Sequence, residues 1–165
     1  MNHLPVFLDV RGRMVAVVGE GPLADSRAAL VRSAGAQVVR TSDVAGAVVA
    51  FIATGNEASD RLAAEAARAA GVPANVMDRP ELCDFIMPAI VERGPVTVAV
   101  STGGASPTLA QIVRDRIEAV LPARLAAVAE YAARVRRQVA LAIPDPARRR
   151  AFWRRKIARE LEKAA

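Results

Sequence analysis

The stretch that most narrows what this chain can fold into is residues 14–30. An apolar, β-branched run over Val15, Ala16, Val17 and Val18 meets Gly19-Glu20-Gly21, and a helical pattern follows at once. That order reads as a buried parallel strand, a tight glycine turn and a helix start. Gly19 permits the turn, Gly21 lets backbone approach a ligand, and Ala24 is small enough for helix and strand to pack closely. Pro22 suits a first helical turn, where its missing N–H would have been an orphan anyway. The helix amino terminus then aims N–H groups and partial positive charge at whatever sits in the turn, commonly a pyrophosphate. The third glycine of the dinucleotide-binding fingerprint is absent, so the motif alone fits an ordinary strand-to-helix turn equally well.

The rest of the chain alternates between the two periodicities. Residues 4–10 alternate weakly and read as a strand, turned at Arg11-Gly12-Arg13 into the central one. A helix is expected over 24–34, closed by Gly35 in a left-handed cap, and another over 57–70, ended by Gly71. Strands are expected over 36–40, 47–53 and 73–77. This alternation argues for a parallel sheet covered on both faces. One junction conflicts with it. Parallel neighbours need a crossover of about a dozen residues, and residues 42–46 are too few. Either one strand runs antiparallel, or the layout is unusual, or residues such a sheet needs are missing from the sequence. Beyond Asp78 the character changes. Residues 81–93 are apolar but interrupted by Pro88, 95–100 read as a strand, and 101–107 form a polar, glycine-rich loop. Helices are expected over 107–120, 123–142 and 147–163, with Ser106 and Asp145 as caps ahead of Pro107 and Pro146.

Composition excludes some functions. At 165 residues and 53% hydrophobic, the chain suits one compact domain or a small domain with a helical extension. The single cysteine, Cys83, rules out an internal disulfide and a cysteine-built metal site, and His3, the only histidine, rules out a histidine-built one. Apolar runs are shorter than a membrane span, and no signal-peptide pattern opens the sequence, so a soluble cytoplasmic protein is expected. The net charge of +6 points to a polyanionic partner: nucleic acid, a phosphorylated cofactor or a polycarboxylate. Nine arginines fall between Arg134 and Arg159. They read as a solvated helix face or as forks for substrate carboxylates. Nucleic-acid binding is disfavoured by an aromatic content of 4% and the lack of a recognised motif.

Several fragments carry more information together: His3-Leu4-Pro5-Val6-Phe7, Gly19-Glu20-Gly21, Asn75-Val76-Met77-Asp78, Phe85-Ile86-Met87-Pro88-Ala89-Ile90, Ser101-Thr102-Gly103-Gly104-Ala105-Ser106-Pro107 and Phe152-Trp153. In this order and spacing the chain resembles the siroheme synthase dehydrogenase/ferrochelatase family, which includes free-standing enzymes and the amino-terminal module of larger siroheme synthases. The resemblance implies an α/β fold: a Rossmann-like, NAD-binding domain over 1–80, a dimerisation segment over 81–120 and a small helical region over 121–165. It implies a homodimer whose active site lies between domains. The implied reactions are oxidation of precorrin-2 to sirohydrochlorin with NAD as hydride acceptor, and insertion of ferrous iron, as substrate, to give siroheme. No nucleic-acid or membrane partner is expected. Family members usually carry a helix and a further strand between the positions of Ser42 and Asp43, so the sheet here is expected to be shortened, lacking its usual third strand. That departure keeps two alternatives in view: a chelatase that has lost dehydrogenation, and a non-catalytic module binding tetrapyrrole or dinucleotide.

The resemblance makes Asp78 the catalytic residue for both reactions, with transient contact to the entering iron. A carboxylate at a strand's carboxyl end can take the proton that accompanies hydride loss, or the pyrrole protons displaced by a metal. The same aspartate also suits a turn before Arg79-Pro80. Candidate cofactor-binding residues are Gly19, Gly21, Pro22 and Leu23 at the turn and Thr54 and Gly55 after a strand end. Asp43 joins them, because it follows the glycine turn at about the distance where an acid reads a ribose hydroxyl. Ser101, Thr102, Gly103 and Ser106 read equally as a cradle for substrate carboxylates and as a turn with a helix cap, and the two readings are compatible.

Overall fold

β-Branched side chains favour the pleated, buried middle of a sheet, and the strand Met14–Val18 (β1) occupies that position. In the computed structural model, which describes residues 3–163, the chain divides into two compact units, Met1–Met87 and Pro88–Ala165. The first continues with helix Pro22–Ser33 (α1), strands Gln37–Arg40 (β2) and Ala50–Ile52 (β3), helix Glu57–Ala69 (α2) and strand Ala74–Val76 (β4). All four strands are parallel, in the order β2-β1-β3-β4. Alternate residues feed opposite faces. Val15, Val17 and Phe51 pack with Ala24, Ala28 and Val31 of α1. Ala16, Val18, Ile52 and Val76 pack with Ala64 and Ala67 of α2. The Rossmann-like sheet without its usual third strand is thus present.

The short junction resolves as an unusual layout, not an antiparallel strand. β2 ends opposite Val17 and β3 begins opposite Ala16, so the two strands flank β1 at nearly the same height. The chain descends only to the level of Met14, whose carbonyl accepts the Val48 N–H at 2.9 Å. That descent is about 10 Å and the sideways step across β1 about 10 Å more. Residues 41–47 can reach about 23 Å, so no helix is needed. The strap lies on the α2 face, where Val44 and Ala47 join the core beside Ala64 and Ala67. Its bends are fixed locally: the Asp43 N–H donates to Thr41 Oγ1, and Asp43 Oδ1 accepts the Ala45 N–H, each at 3.0 Å.

Residues 4–10 do not form the expected strand. Both sides of β1 are taken by β2 and β3, so the segment finds no pairing there, and Leu4, Val6, Phe7 and Leu8 are exposed. The outer edge of β4 is closed differently. Asp84 accepts the Ala74 N–H at 2.9 Å and returns its own N–H to the Ala74 carbonyl at 2.8 Å. Cys83 Sγ accepts the Val76 N–H and donates to the Val76 carbonyl, both at 3.2 Å. A 3-10 turn, Pro80–Leu82, brings these two residues round to the edge.

The second unit opens with a hairpin that sequence patterning missed in part. Strand Ala89–Arg93 (β5) starts directly after Pro88 and pairs antiparallel with Val96–Val100 (β6). Gly94, with φ 57°, makes the two-residue turn. Three helices follow: Pro107–Val120 (α3), Leu125–Ala142 (α4) and Pro146–Glu162 (α5). Ser106 and Asp145 cap α3 and α5 as expected, accepting the Leu109 and Arg148 N–H groups. Arg114 ties α3 to the hairpin through the Ile90 carbonyl at 3.1 Å, and Lys156 of α5 lies 5.6 Å from the centre of the Tyr131 ring of α4. Among the described residues no helix is long and apolar enough to cross a membrane.

If the strap is a core element and not a surface loop, truncating it should be costly. Val44 is 3% exposed. Val44→Ala should lower stability by about 1–2.5 kcal/mol, read as a lower urea midpoint with little change in slope, and Val44→Asp should cost more. An unchanged midpoint would return residues 41–49 to the class of tolerant loops.

Candidate functional site

Three segments of the first unit reach one lip of the sheet because β1, β3 and β4 are parallel and end on the same side. They are the glycine turn after β1, residues 53–56 after β3, and Met77 to Arg79 after β4. Ligands collect at such carboxyl ends. Gly19, Gly21, Pro22, Leu23, Thr54, Gly55 and Asp78 all belong to these segments.

The glycine turn presses against the end of β3. A Cβ on Gly19 would lie 2.1 Å from the Ala53 carbonyl oxygen, and its φ of 109° is one L side chains rarely adopt. Gly21 differs. It caps α1 with φ 88°, and a Cβ there would stand in open space. No side chain caps α1, whereas Asn56, Ser106 and Asp145 cap α2, α3 and α5. The Leu23 and Ala24 N–H groups in the first turn are therefore left to an outside acceptor. An open glycine, a helix start without a side-chain cap and a proline that removes only a spare donor fit a dinucleotide's pyrophosphate.

The lip is anchored by Asp60, which sequence reading overlooked. This α2 carboxylate is 3% exposed. Its Oδ1 accepts the Thr54 N–H at 3.0 Å and the Thr54 hydroxyl at 2.7 Å; its Oδ2 accepts Arg79 Nε at 3.1 Å. Arg79 also reaches Glu57 at 3.4 Å. Burial alone would raise the Asp60 carboxyl, but the Thr54 and Arg79 donors outweigh it and hold it below the usual carboxylate range. The signal was in the helix period: Asp60 lies on the same stripe as the buried Ala64 and Ala67.

Asp78 stands between Met77, whose N–H donates to the Ile52 carbonyl at 2.9 Å, and the anchored Arg79. It is the one non-glycine residue with positive φ, 59°, among those described. Aspartate tolerates this region better than most residues, though at a cost of about 1–2 kcal/mol. Its side chain is exposed. Beside it, Arg27 of α1 donates to Met77 Sδ at 3.2 Å. Partial burial holds Arg27 below the usual arginine range, and the Asp78 carboxylate pushes it back up.

Asp43 lies in the strap with its carboxylate turned to the Ala45 N–H. The residue that ends β2 is Arg40. Its Nη1 donates to the Gly19 carbonyl at 3.1 Å, and its Nη2 pairs with Asp25 in the first turn of α1. Ser101, Thr102, Gly103 and Ser106 belong to the second unit. There Ser101 Oγ accepts the Gly103 N–H at 3.0 Å, and Thr102 Oγ1 accepts the Ser106 N–H at 3.1 Å and donates to the Ser106 carbonyl at 3.0 Å. These bonds build the turn and cap. Arg136, Arg149 and Arg150 line a cleft of about 320 Å³ with Trp153 in the same unit. Among the described residues no group of three or more metal-ligating side chains comes together.

Comparison with known proteins covers most of the chain. A family model described as NAD(P)-binding matches residues 39–89, one for the central part of a sirohaem biosynthesis protein matches 93–119, and one for the sirohaem synthase dimerisation region matches 124–164. A siroheme synthase of Methylococcus capsulatus is 40% identical over 183 residues, covering 95% of this chain and 39% of that protein. One from Nitrosomonas eutropha is 36% identical over 184 residues, with the same coverage. The chain thus spans about two fifths of the curated relatives' length. Both matched stretches exceed this chain's 165 residues, so the relatives carry residues it lacks. A solved structure titled SirC, precorrin-2 dehydrogenase, shares the fold with a TM-score of 0.65 and 19% identity, covering 98% of this chain and all of the other.

Asp60 should show in the pH dependence of stability. Its folded-state carboxyl titrates below the unfolded value of about 3.9. Its contribution is therefore complete above that value and is lost as pH falls through the folded-state value. Asp60→Asn should flatten the loss of stability on acidification below about pH 4. Asp60→Ala, which leaves the Thr54 N–H unpaired and Arg79 with Glu57 alone, should cost about 1–3 kcal/mol at neutral pH. Urea unfolding at a series of pH values measures both, and an Asp60→Asn profile parallel to that of the parent would contradict the assignment.

Proposed function

Since the chain belongs to the siroheme synthase family, we propose that it acts in siroheme biosynthesis as a homodimeric, NAD-dependent precorrin-2 dehydrogenase that also inserts ferrous iron into sirohydrochlorin. The observation that carries this reading is Asp78, an exposed carboxylate in a strained backbone at the sheet lip, flanked by the anchored Arg79. Backbone strain at a residue able to move protons suits a positioned base better than a surface turn.

NAD, when bound, supplies the acceptor for a hydride leaving a ring-system carbon. The chain's residues have two tasks. Gly21 and the first turn of α1 hold the pyrophosphate by N–H groups that no side chain occupies. Asp78 takes the proton that must leave the macrocycle as the hydride departs, so that two electrons and two hydrogens are lost in balance. For metal insertion the same carboxylate takes the two pyrrole protons in turn and hands them to solvent, its exposure giving the exit route. Ferrous iron enters as substrate. Arg27, beside Asp78, is a cation suited to a substrate carboxylate. The dimerisation-region match over 124–164 supports the homodimer.

Asp78→Asn should leave the fold intact, because asparagine also tolerates positive φ, and should lower turnover of precorrin-2 with NAD at least about 100-fold. Absorbance of the product reports turnover and far-ultraviolet dichroism reports the fold. Full activity in a folded variant would overturn the role given to Asp78.

A further inference from the structure

We propose that the cleft between α4 and α5 binds a planar polycarboxylate, namely one carboxylate-bearing edge of the tetrapyrrole, with Arg136 and Arg150 pairing the acid arms and Trp153 covering the ring. The inference deepens the reading above, from which it takes its substrate, and concerns residues of the second unit alone.

The cleft follows from the helix period. Arg136 and Ala140 lie one turn apart on α4, and Pro146, Arg149, Arg150 and Trp153 fall at i, i+3, i+4 and i+7 on α5. A stripe of that spacing is ordinarily apolar where it faces a neighbouring helix, yet two of its four positions here are arginine. The small Ala140 and Pro146 leave a space of about 320 Å³ between them. That is the lower end for small-molecule sites: room for one edge of a macrocycle, not for the whole. Arg149 is already occupied, its Nη1 donating to the Ile143 and Pro144 carbonyls at 2.9 Å each, and so forms a fixed wall. Arg136 and Arg150 differ. In the same unit Arg93 and Arg114 pair with Glu118, and Lys156 with Glu160, but among the described residues no acid pairs with Arg136 or Arg150 and none lines the cleft. Three like charges around one space repel until an anion enters. A guanidinium takes a carboxylate in two parallel, charge-assisted bonds, so two free forks match a ligand with two acid arms. Trp153 supplies a flat apolar wall, its ring held edge-on to Phe152 with the centroids 5.4 Å apart. A single-stranded nucleic acid would instead want successive aromatic platforms along an extended groove, and Trp153 is the one aromatic residue among those lining this cleft.

Pyromellitate, a benzene ring with carboxylates on opposite edges, is small enough to probe the cleft in the full chain. Trp153 is the only tryptophan in the sequence, so its emission reports on this one place. That emission should change saturably with pyromellitate. The affinity should fall at least about tenfold in Arg136→Ala/Arg150→Ala, and should weaken as salt rises. Arg136→Lys/Arg150→Lys, which keeps the charge but loses the forks, should fall between the two. Both arginines are exposed, so the variants should fold as the parent does, which thermal melting checks. Calorimetry then shows whether a macrocycle takes the same place. Saturating uroporphyrin, an unreactive ring with acetate and propionate arms, should abolish the heat of pyromellitate binding. Heat that persists, or that an oligonucleotide removes and uroporphyrin does not, would overturn the ligand. Emission unmoved by pyromellitate, or affinity untouched by the double alanine variant, would overturn the site. Dissociation of a parent dimer in that variant, read by light scattering, would give the cleft to the contact between copies and overturn the proposal as well. Absence of precorrin-2 turnover in a parent chain that passes these titrations would instead overturn the reading above.

Discussion

One buried carboxylate holds the business edge of the first unit together. Asp60 is almost fully withdrawn from water, so its charge is tolerable only while Thr54 and Arg79 donate to it. Those donors sit on two different segments, one after β3 and one after β4. The requirement that both be in place couples the segments: neither Gly55 nor Asp78 can wander without breaking a bond to a buried charge. The positive φ of Asp78 is maintained by the same arrangement, since the residue after it is clamped by Asp60 and Glu57. Strain at a single residue persists only where its surroundings over-determine it.

The sheet that carries this edge is unusually thin in material. Its two faces are covered by helices whose buried residues are mostly alanine: Ala24 and Ala28 in α1, Ala64 and Ala67 in α2. Small side chains let helix and sheet approach closely, so contact is made with little apolar bulk. The strap follows the same economy. Val44 and Ala47 fill part of the α2 face directly, without a helix to carry them. That works because β2 and β3 end and begin at nearly the same height on either side of β1.

Much of this was legible beforehand, for identifiable reasons. The glycine turn, Pro22 at the start of α1 and the caps Ser106 and Asp145 are local chemistry, readable from a few neighbouring residues. What escaped was non-local. Residues 4–10 have a strand's alternation but no free edge beside β1 to pair with. β5 was hidden by Pro88, which delimits the strand from outside and does not interrupt it. The junction at 42–46 looked too short because register, not loop length, decides how far a connection must travel. At the lip, Asp60 reads as an ordinary solvated helix residue until its place on the Ala64–Ala67 stripe is noticed. Distance along the chain also did not show that Asp43 lies in the strap while Arg40 ends the strand.

Closing the β4 edge with a thiol has an experimental consequence. Cys83 stands in for a neighbouring strand at Val76, and burial pushes its thiol up, so little reactive thiolate is present in the folded protein. With no other cysteine in the sequence, alkylation at this one sulfur becomes a clock for fraying of that margin. A site-specific reporter of local opening is built into the chain, without mutation or dye, a few residues from Asp78.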